Sequence, residues 1–198
     1  GILYQIDNRL RPQGNSGLLA CNIETYQAYL AEEAWTWEHQ ALVRTRMVYG
    51  TAPLGQRFGE IREQILTKPR DLPTLKGEVV DMRGKMRDSL ARNIDFLFDL
   101  KQGLGGIADI EFITQYLVLA YSSQHHQLTC YSANVELFEL FAKYEILTQK
   151  QAQTLTHAYR QLRNIYHRLT LQKQDKLTDN EYAQALSVEI QEIWKAVF

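Results

Sequence analysis

The sequence predicts a mainly α protein, a helical bundle preceded by a short β segment. Three observations carry this reading. Residues 1–11 alternate at period two, as a strand does, whereas from Asn22 onward the apolar residues recur at spacings of three and four. Cap signatures then punctuate the helical part: Asn22, Thr148-x-x-Gln151 and Thr178-x-x-Glu181 each stand just before an amphipathic run.

In the opening strand Ile2, Tyr4, Ile6 and Leu10 fall on one side, and Leu3, Gln5, Asp7, Arg9 and Arg11 on the other. Same-face neighbours on a strand are roughly 7 Å apart. Asp7 could therefore hold a divalent cation beside two arginines that could hold a polyphosphate; the alternative is an exposed strand face of alternating charge. Pro12 and Gly14-Asn15-Ser16-Gly17 end the strand, and Leu18-Leu19-Ala20-Cys21 has the pattern of a short second one.

Asn22 is placed to cap a helix with Glu24 in its first turn and Tyr26, Tyr29 and Leu30 on its buried side. Residues 34–49 continue helically toward Gly50, with Trp35, Leu42 and Tyr49 a heptad apart. Trp35 and Trp37 are expected in the core, with a nucleobase platform as the alternative. Glu38, Arg44 and Arg46 on this helix either face solvent or reach toward the strand of Asp7. Leu54, Phe58, Ile61 and Ile65 mark the next helix, which Pro69 and Pro73 close. Leu75, Val79, Met82, Met86 and Leu90 form the stripe of another, and Lys76, Arg83 and Arg87 form a basic edge on its flank. That edge is a solvated face or a surface for an acidic partner.

Phe96, Phe98 and Leu100 alternate with Asp95, Asp99 and Lys101, so a second extended segment presents acid and base together. Gly103, Gly105 and Gly106 then lead into a helix N-terminus. Freed backbone N–H groups, the helix dipole and Lys101 could cradle a phosphate there. The spacing fits neither a Walker motif nor a dinucleotide fingerprint. Asp109 and Glu111 are either ordinary first-turn acids or part of that site. Three further helices are expected, through Leu137, Phe138 and Phe141, from the Thr148 cap, and from the Thr178 cap, sharing one core.

With 22 basic and 23 acidic residues the net charge is -1, so no global field draws nucleic acid or an anionic membrane. No apolar run approaches the ~20 residues of a membrane span. Cys21 and Cys130, far apart and outside any metal-ligand spacing, suit two buried thiols in a reducing cytoplasm. His125 and His126 fall in a polar loop without carboxylate or cysteine at ligand spacing, and His157 and His167 lie off the apolar stripe of their helix, so none is expected to hold a metal. A chain that opens directly into a strand, without an initiator Met, reads as a piece of a longer protein.

Three ordered motifs carry a resemblance that runs nearly end to end. They are Tyr4-x-x-Asp7-x-Arg9-Leu10-Arg11-Pro12-x-Gly14-x-x-Gly17, then Trp37-Glu38-x-Gln40-Ala41-Leu42-x-Arg44-x-Arg46, then Asp99-x-Lys101-x-x-x-Gly105-Gly106-Ile107-x-Asp109-Ile110-Glu111-Phe112-Ile113-x-Gln115. Together they resemble the bacterial glutamine synthetase adenylyltransferase/adenylyl-removing enzymes, which contain two nucleotidyltransferase halves. The wording of residues 34–44 and 112–119 is similar to the carboxy-terminal, adenylylating half more than to the removing half.

The resemblance implies a polymerase-beta-like nucleotidyltransferase domain of which residues 1–21 are the carboxy-terminal strand portion, a β remnant. Residues 22–198 would be a helical domain, with 22–130 packing near the active site and 131–198 as a terminal bundle. It implies AMP transfer from ATP to a tyrosine hydroxyl of glutamine synthetase, with Mg2+, and a PII-type signalling protein as a second partner. Asp7 would be the catalytic, metal-holding acid, matching the third carboxylate of the family site. The family's Gly-Ser motif and paired aspartates are absent from this chain, so the fragment alone is expected to be inactive. Arg9, Arg11, Lys101, Gly105 and Gly106 would bind the nucleotide phosphates, and Glu38, Asp109 and Glu111 would be supporting acids. A different class of function, a helical module that docks glutamine synthetase or the regulator through Lys76, Arg83 and Arg87, stands beside this one.

Overall fold

The structure, a computed structural model, describes residues 11–92, 94 and 96–198. Within them the fold is mainly α. The opening strand, with Asp7 and Arg9, lies outside the described residues, as does Asp95 of the second extended segment.

Asn22 caps α1 (Ile23–Glu32), its side-chain oxygen accepting from the Thr25 N–H at 2.7 Å. Next come α2 (Thr36–Val43), α3 (Ala52–Leu66) and α4 (Leu72–Leu90). A two-residue strand, β1 (Phe98–Asp99), leads into α5 (Ile107–Tyr121), followed by α6 (Asn134–Lys143) and α7 (Gln149–Leu171). β2 (Leu177–Thr178) pairs antiparallel with β1, Phe98 opposite Thr178, and α8 (Glu181–Val197) closes the chain.

α5 is the axis of the fold. Twelve of its fifteen residues are buried, so it is apolar on nearly every side, which only a helix enclosed by others can be. α2 and α4 pack on it from the amino-terminal group, and α6, α7 and α8 from the carboxy-terminal group. A continuous core runs between the two groups, from Leu42 and Val79 through Ile113 to Phe138, Leu155 and Ile190. Each such side chain, fully buried, contributes about 1.5–3 kcal/mol relative to leaving it in water.

Several expectations are corrected. Residues 18–21 form no strand: Leu18 and Leu19 are exposed, and no described strand lies beside them to take up their backbone groups. The helix expected over 34–49 spans only Thr36–Val43, and Gly50 does not stop it. The Arg62 guanidinium takes the carbonyls of Leu42 and Val43 at 3.1 and 2.6 Å, holding the helix end there, and Val48 and Tyr49 beyond it are exposed. The last helix is capped by Asn180, whose side chain accepts from the Ala183 N–H, because Thr178 is committed to β2. The Thr148–Gln151 capping box forms as expected. Both cysteines are exposed, each standing in irregular chain beside a helical segment and not on a core stripe.

Candidate functional site

The part of the chain that joins the Asp7 motif is residues 11–17. Pro12 and a turn of 3-10 helix (Gly14–Ser16) bend it back, and Arg11 Nε donates to the Gly17 carbonyl at 3.4 Å. Arg11 and Pro12 thereby line one side of a cleft of about 90 Å³, whose other side is Tyr26, Tyr29 and Leu30 of α1 and Glu38, Ala41 and Leu42 of α2. Two residues the sequence singles out, Arg11 and Glu38, are thus brought together.

Glu38 is held from two directions. Its Oε1 accepts from the Tyr29 hydroxyl at 2.7 Å and its Oε2 from the Trp35 N–H at 2.9 Å. The second bond is half of a capping box. Trp35 has no side-chain acceptor to return the other half, so the Glu38 N–H goes to the Trp35 carbonyl instead. Burial first, and then the bond to Glu38, push the Tyr29 hydroxyl above its usual range. Tyr29 therefore remains a proton donor at neutral pH and orients the carboxylate toward the cleft.

Glu111 meets this region from α5, two residues beyond Asp109 and so on the opposite side of the helix, where it pairs with Arg44 at the end of α2. Burial of Arg44 opposes its charge, and Glu111 and Tyr159 outweigh that, leaving the guanidinium firmly protonated. One turn away the Gln40 amide donates to Gln115 Oε1 at 3.1 Å. A polar seam thus fixes α2 against α5 in register.

The remaining predicted site residues lie elsewhere. Asp109 is 2% exposed and accepts from Arg83 Nε at 2.6 Å, from Arg87 at 2.9 Å and from the Gly105 N–H at 2.7 Å. Its oxygens are spent inside the protein. The loop donors are spent as well: Gly103, Gly106, Ile107 and Ala108 donate to the carbonyls of Asp99, Gly103, Leu100 and Lys101. Gly105 takes a left-handed φ of 71° and lies so close to α8 that a Cβ there would fall 2.1 Å from the Ser187 carbonyl oxygen. The Gly105–Gly106 loop is therefore a packing junction between α5 and α8, with its N–H groups turned inward and Lys101 and Leu104 exposed beside it.

The basic edge on α4 is also corrected. Arg83 is completely buried, its guanidinium shared among Asp109, the Gln102 side chain and the Gln102 carbonyl, and set over the Phe112 ring. Burial pulls its pKa down while Asp109 holds it up. The reason lies in the register: the buried stripe of α4 is Leu75, Val79, Arg83, a strict i, i+4, i+8 row. The tryptophans depart from expectation too, Trp35 being 70% and Trp37 36% exposed.

Two structural cations escape sequence reading altogether. Arg62 gives its donors to the carbonyls of Leu42, Val43, Thr129 and Tyr131, and Arg70 caps the end of α3 through the carbonyls of Ile65 and Leu66. Burial lowers the Arg70 pKa to about 10. Arg62 lies beside Ile61 in the sequence, where an arginine reads as solvated. The missing signal is the set of unpaired carbonyls at the helix ends, which only the fold brings to it.

Among the described residues no three His, Cys, Asp or Glu side chains come together to hold a metal ion. Glu38, Asp109 and Glu111 each serve another partner and stand apart, so the described acids do not compose a Mg2+ site. No helix of the described residues is long and apolar enough to cross a membrane.

Two family models match separate parts of the chain. Residues 1–61 match the family model described as glutamate-ammonia ligase adenylyltransferase, and residues 80–191, more than half of the chain, match that described as GlnD PII-uridylyltransferase. A bifunctional glutamine synthetase adenylyltransferase/adenylyl-removing enzyme of Shewanella frigidimarina (strain NCIMB 400) is 55% identical over 173 residues, which is 87% of this chain and 18% of that protein. The chain thus spans about a fifth of the length of the curated relative it matches. It belongs to the glutamine synthetase adenylyltransferase/adenylyl-removing enzyme family, and its residues 80–191 are in addition similar to the family described as GlnD PII-uridylyltransferase.

Proposed function

We propose that this chain is the helical part of a nucleotidyltransferase that moves AMP from ATP to a tyrosine hydroxyl of glutamine synthetase, together with the edge of the site that performs the transfer. One observation supports this most: Arg11, the last residue of the Asp7–Arg9–Arg11 motif, lines one cleft with Glu38 of the Trp37-Glu38 motif. Two motifs separated in sequence are thereby brought together at Arg11 and Glu38.

In this reading the tyrosine hydroxyl attacks the α-phosphate in line, the bond to the β-phosphate oxygen breaks, and pyrophosphate leaves. Arg9 and Arg11 bind phosphate oxygens. Asp7 is this chain's acid for the divalent cation that such chemistry uses, with its companion carboxylates beyond the described residues. Glu38, oriented by Tyr29 and the Trp35 N–H, positions the arginine side of the cleft and carries no metal. Gly105, Gly106 and Asp109 hold α4, α5 and α8 together, and they and the exposed Lys101 stay out of the reaction. Residues 22–198 act as the helical body that carries the site, and a PII-type protein is the regulator expected of such an enzyme.

The wording of residues 34–44 favours the adenylylating half. The test places this chain in the Shewanella relative in exchange for its matching segment and follows label in both directions. Transfer of label from ATP to glutamine synthetase that depends on the exchanged segment supports the reading. Intact transfer combined with loss of AMP removal when the segment is disabled would assign it to the removing half.

A further inference from the structure

A second cleft, of about 390 Å³, opens between the corner joining α1 to α2 and the outer face of α4; Arg11, Tyr29 and Glu38 do not line it, and Trp35, whose backbone N–H holds Glu38, turns its indole to this side. Trp35, Trp37 and Met82 form its apolar wall, and Glu33, Glu78 and Asp81 stand around it with Lys85 as the one basic residue. Leaving an indole 70% exposed wastes a large apolar surface, and such surface at a concave site marks binding. The charge decides what binds. Three carboxylates against one ammonium give the lining a net charge of 1 - 3 = -2 at neutral pH. Glu33 and Asp81 form no ion pair with another described residue, and Glu78 accepts only from the Thr36 hydroxyl.

We propose that this cleft docks an arginine side chain on an extended segment of a partner protein, the guanidinium stacked on the exposed indole of Trp35 and donating to the carboxylates of Glu78 and Asp81. A planar cation suits an indole face, and its five fixed donors can reach carboxylates on two sides at once. An adenine nucleotide could stack its base on the indoles equally well, but its phosphates would meet the three acids. An apolar segment would strip water from those carboxylates without giving them partners. Both alternatives are excluded by charge, and the proposal is independent of the AMP-transfer reading.

The three tryptophans of the chain make the test direct, because Trp194 packs on Phe198 with centroids 4.3 Å apart and is absent from the cleft lining, providing an internal control. The 198-residue chain, labelled at the indole nitrogens, is titrated with acetyl-Ala-Arg-Ala-amide and followed by NMR. Saturable shifts of the Trp35 and Trp37 signals, without movement of Trp194, are expected. The same peptide with citrulline or leucine in place of arginine, and AMP, should leave all three signals in place. Affinity should fall about tenfold or more in Trp35→Ala and in the Glu78→Gln/Asp81→Asn pair, both of which alter exposed side chains. Equal shifts with the citrulline or leucine peptide, shifts with AMP, shifts that follow protein concentration alone, or unchanged affinity in the acid-to-amide pair would each overturn the proposal.

Discussion

Arg83 of α4 and Asp109 of α5 form a buried ion pair, Nε to Oδ1 at 2.6 Å, with their side chains 1% and 2% exposed. The pair joins the helix that carries the amino-terminal group to the central helix. Asp109 also accepts from the Gly105 N–H and so ties in the loop that seats α8. One carboxylate therefore fixes the relative positions of three helices.

Removing that carboxylate leaves Arg83 charged and without a counterion in the core. Asp109→Ala is expected to lower stability by about 3–5 kcal/mol, the usual consequence of breaking one side of a buried pair. Urea denaturation checks this. The double variant Arg83→Met/Asp109→Leu, which removes both charges, should recover much of the loss. Glu111→Gln, altering a partly exposed pair with Arg44, should cost far less.

Gly105 and Gly77 predict effects of opposite sign for the same substitution. At Gly105 the φ of 71° and the Ser187 carbonyl 2.1 Å from a would-be Cβ make alanine costly, at least about 2 kcal/mol. Gly77 sits inside α4 with nothing within 4 Å of its would-be Cβ, so alanine there should stabilise by about 0.5–1 kcal/mol. For a chain of this length, thermal unfolding should move down by about 4 °C or more for Gly105→Ala and up by about 2 °C for Gly77→Ala.

His39 predicts a pH dependence. Burial, the largest influence, lowers its pKa below the ordinary 6.5, and its Nε2 lies 2.8 Å from the Leu30 carbonyl, which the neutral ring's N–H can satisfy. The unfolded chain then binds the proton more readily than the folded one. The stability His39 gives is present above about pH 6.5 and is lost as pH falls below it toward the folded pKa, with a slope of at most about 1.4 kcal/mol per pH unit. Denaturation curves at pH 7.5 and pH 5.5 should show that decline, and His39→Gln should make it shallower.

What the sequence disclosed and what it withheld divide along the range of the interactions. The caps at Asn22 and at Thr148–Gln151 are satisfied within four residues, and both were legible. The stripes of α3, α6, α7 and α8 were legible because period alone places them. Residues 18–21 and 44–49 were not, since no described strand pairs with the first and the conformation of the second depends on Arg62, far along the chain. Arg83 could have been found: it falls on the i+4 row of Leu75 and Val79, and a cation on a core row demands an acid. Arg11 and Glu38, legible only as parts of separate motifs, line one cleft, whereas the motif residues Gly105 and Asp109 hold helices together. A glycine needed for close packing and a glycine needed for a phosphate look alike in one sequence.

The central functional claim rests on Asp7. With this chain placed in the full length of the Shewanella relative, transfer of labelled AMP to glutamine synthetase should fall by about a thousandfold or more in Asp7→Ala, as expected when an acid of a metal-assisted phosphoryl-transfer site is lost. Glu38→Gln should lower the rate more modestly, and Lys101→Ala should leave it nearly intact. A near-normal rate of AMP transfer by the Asp7→Ala protein would contradict the account.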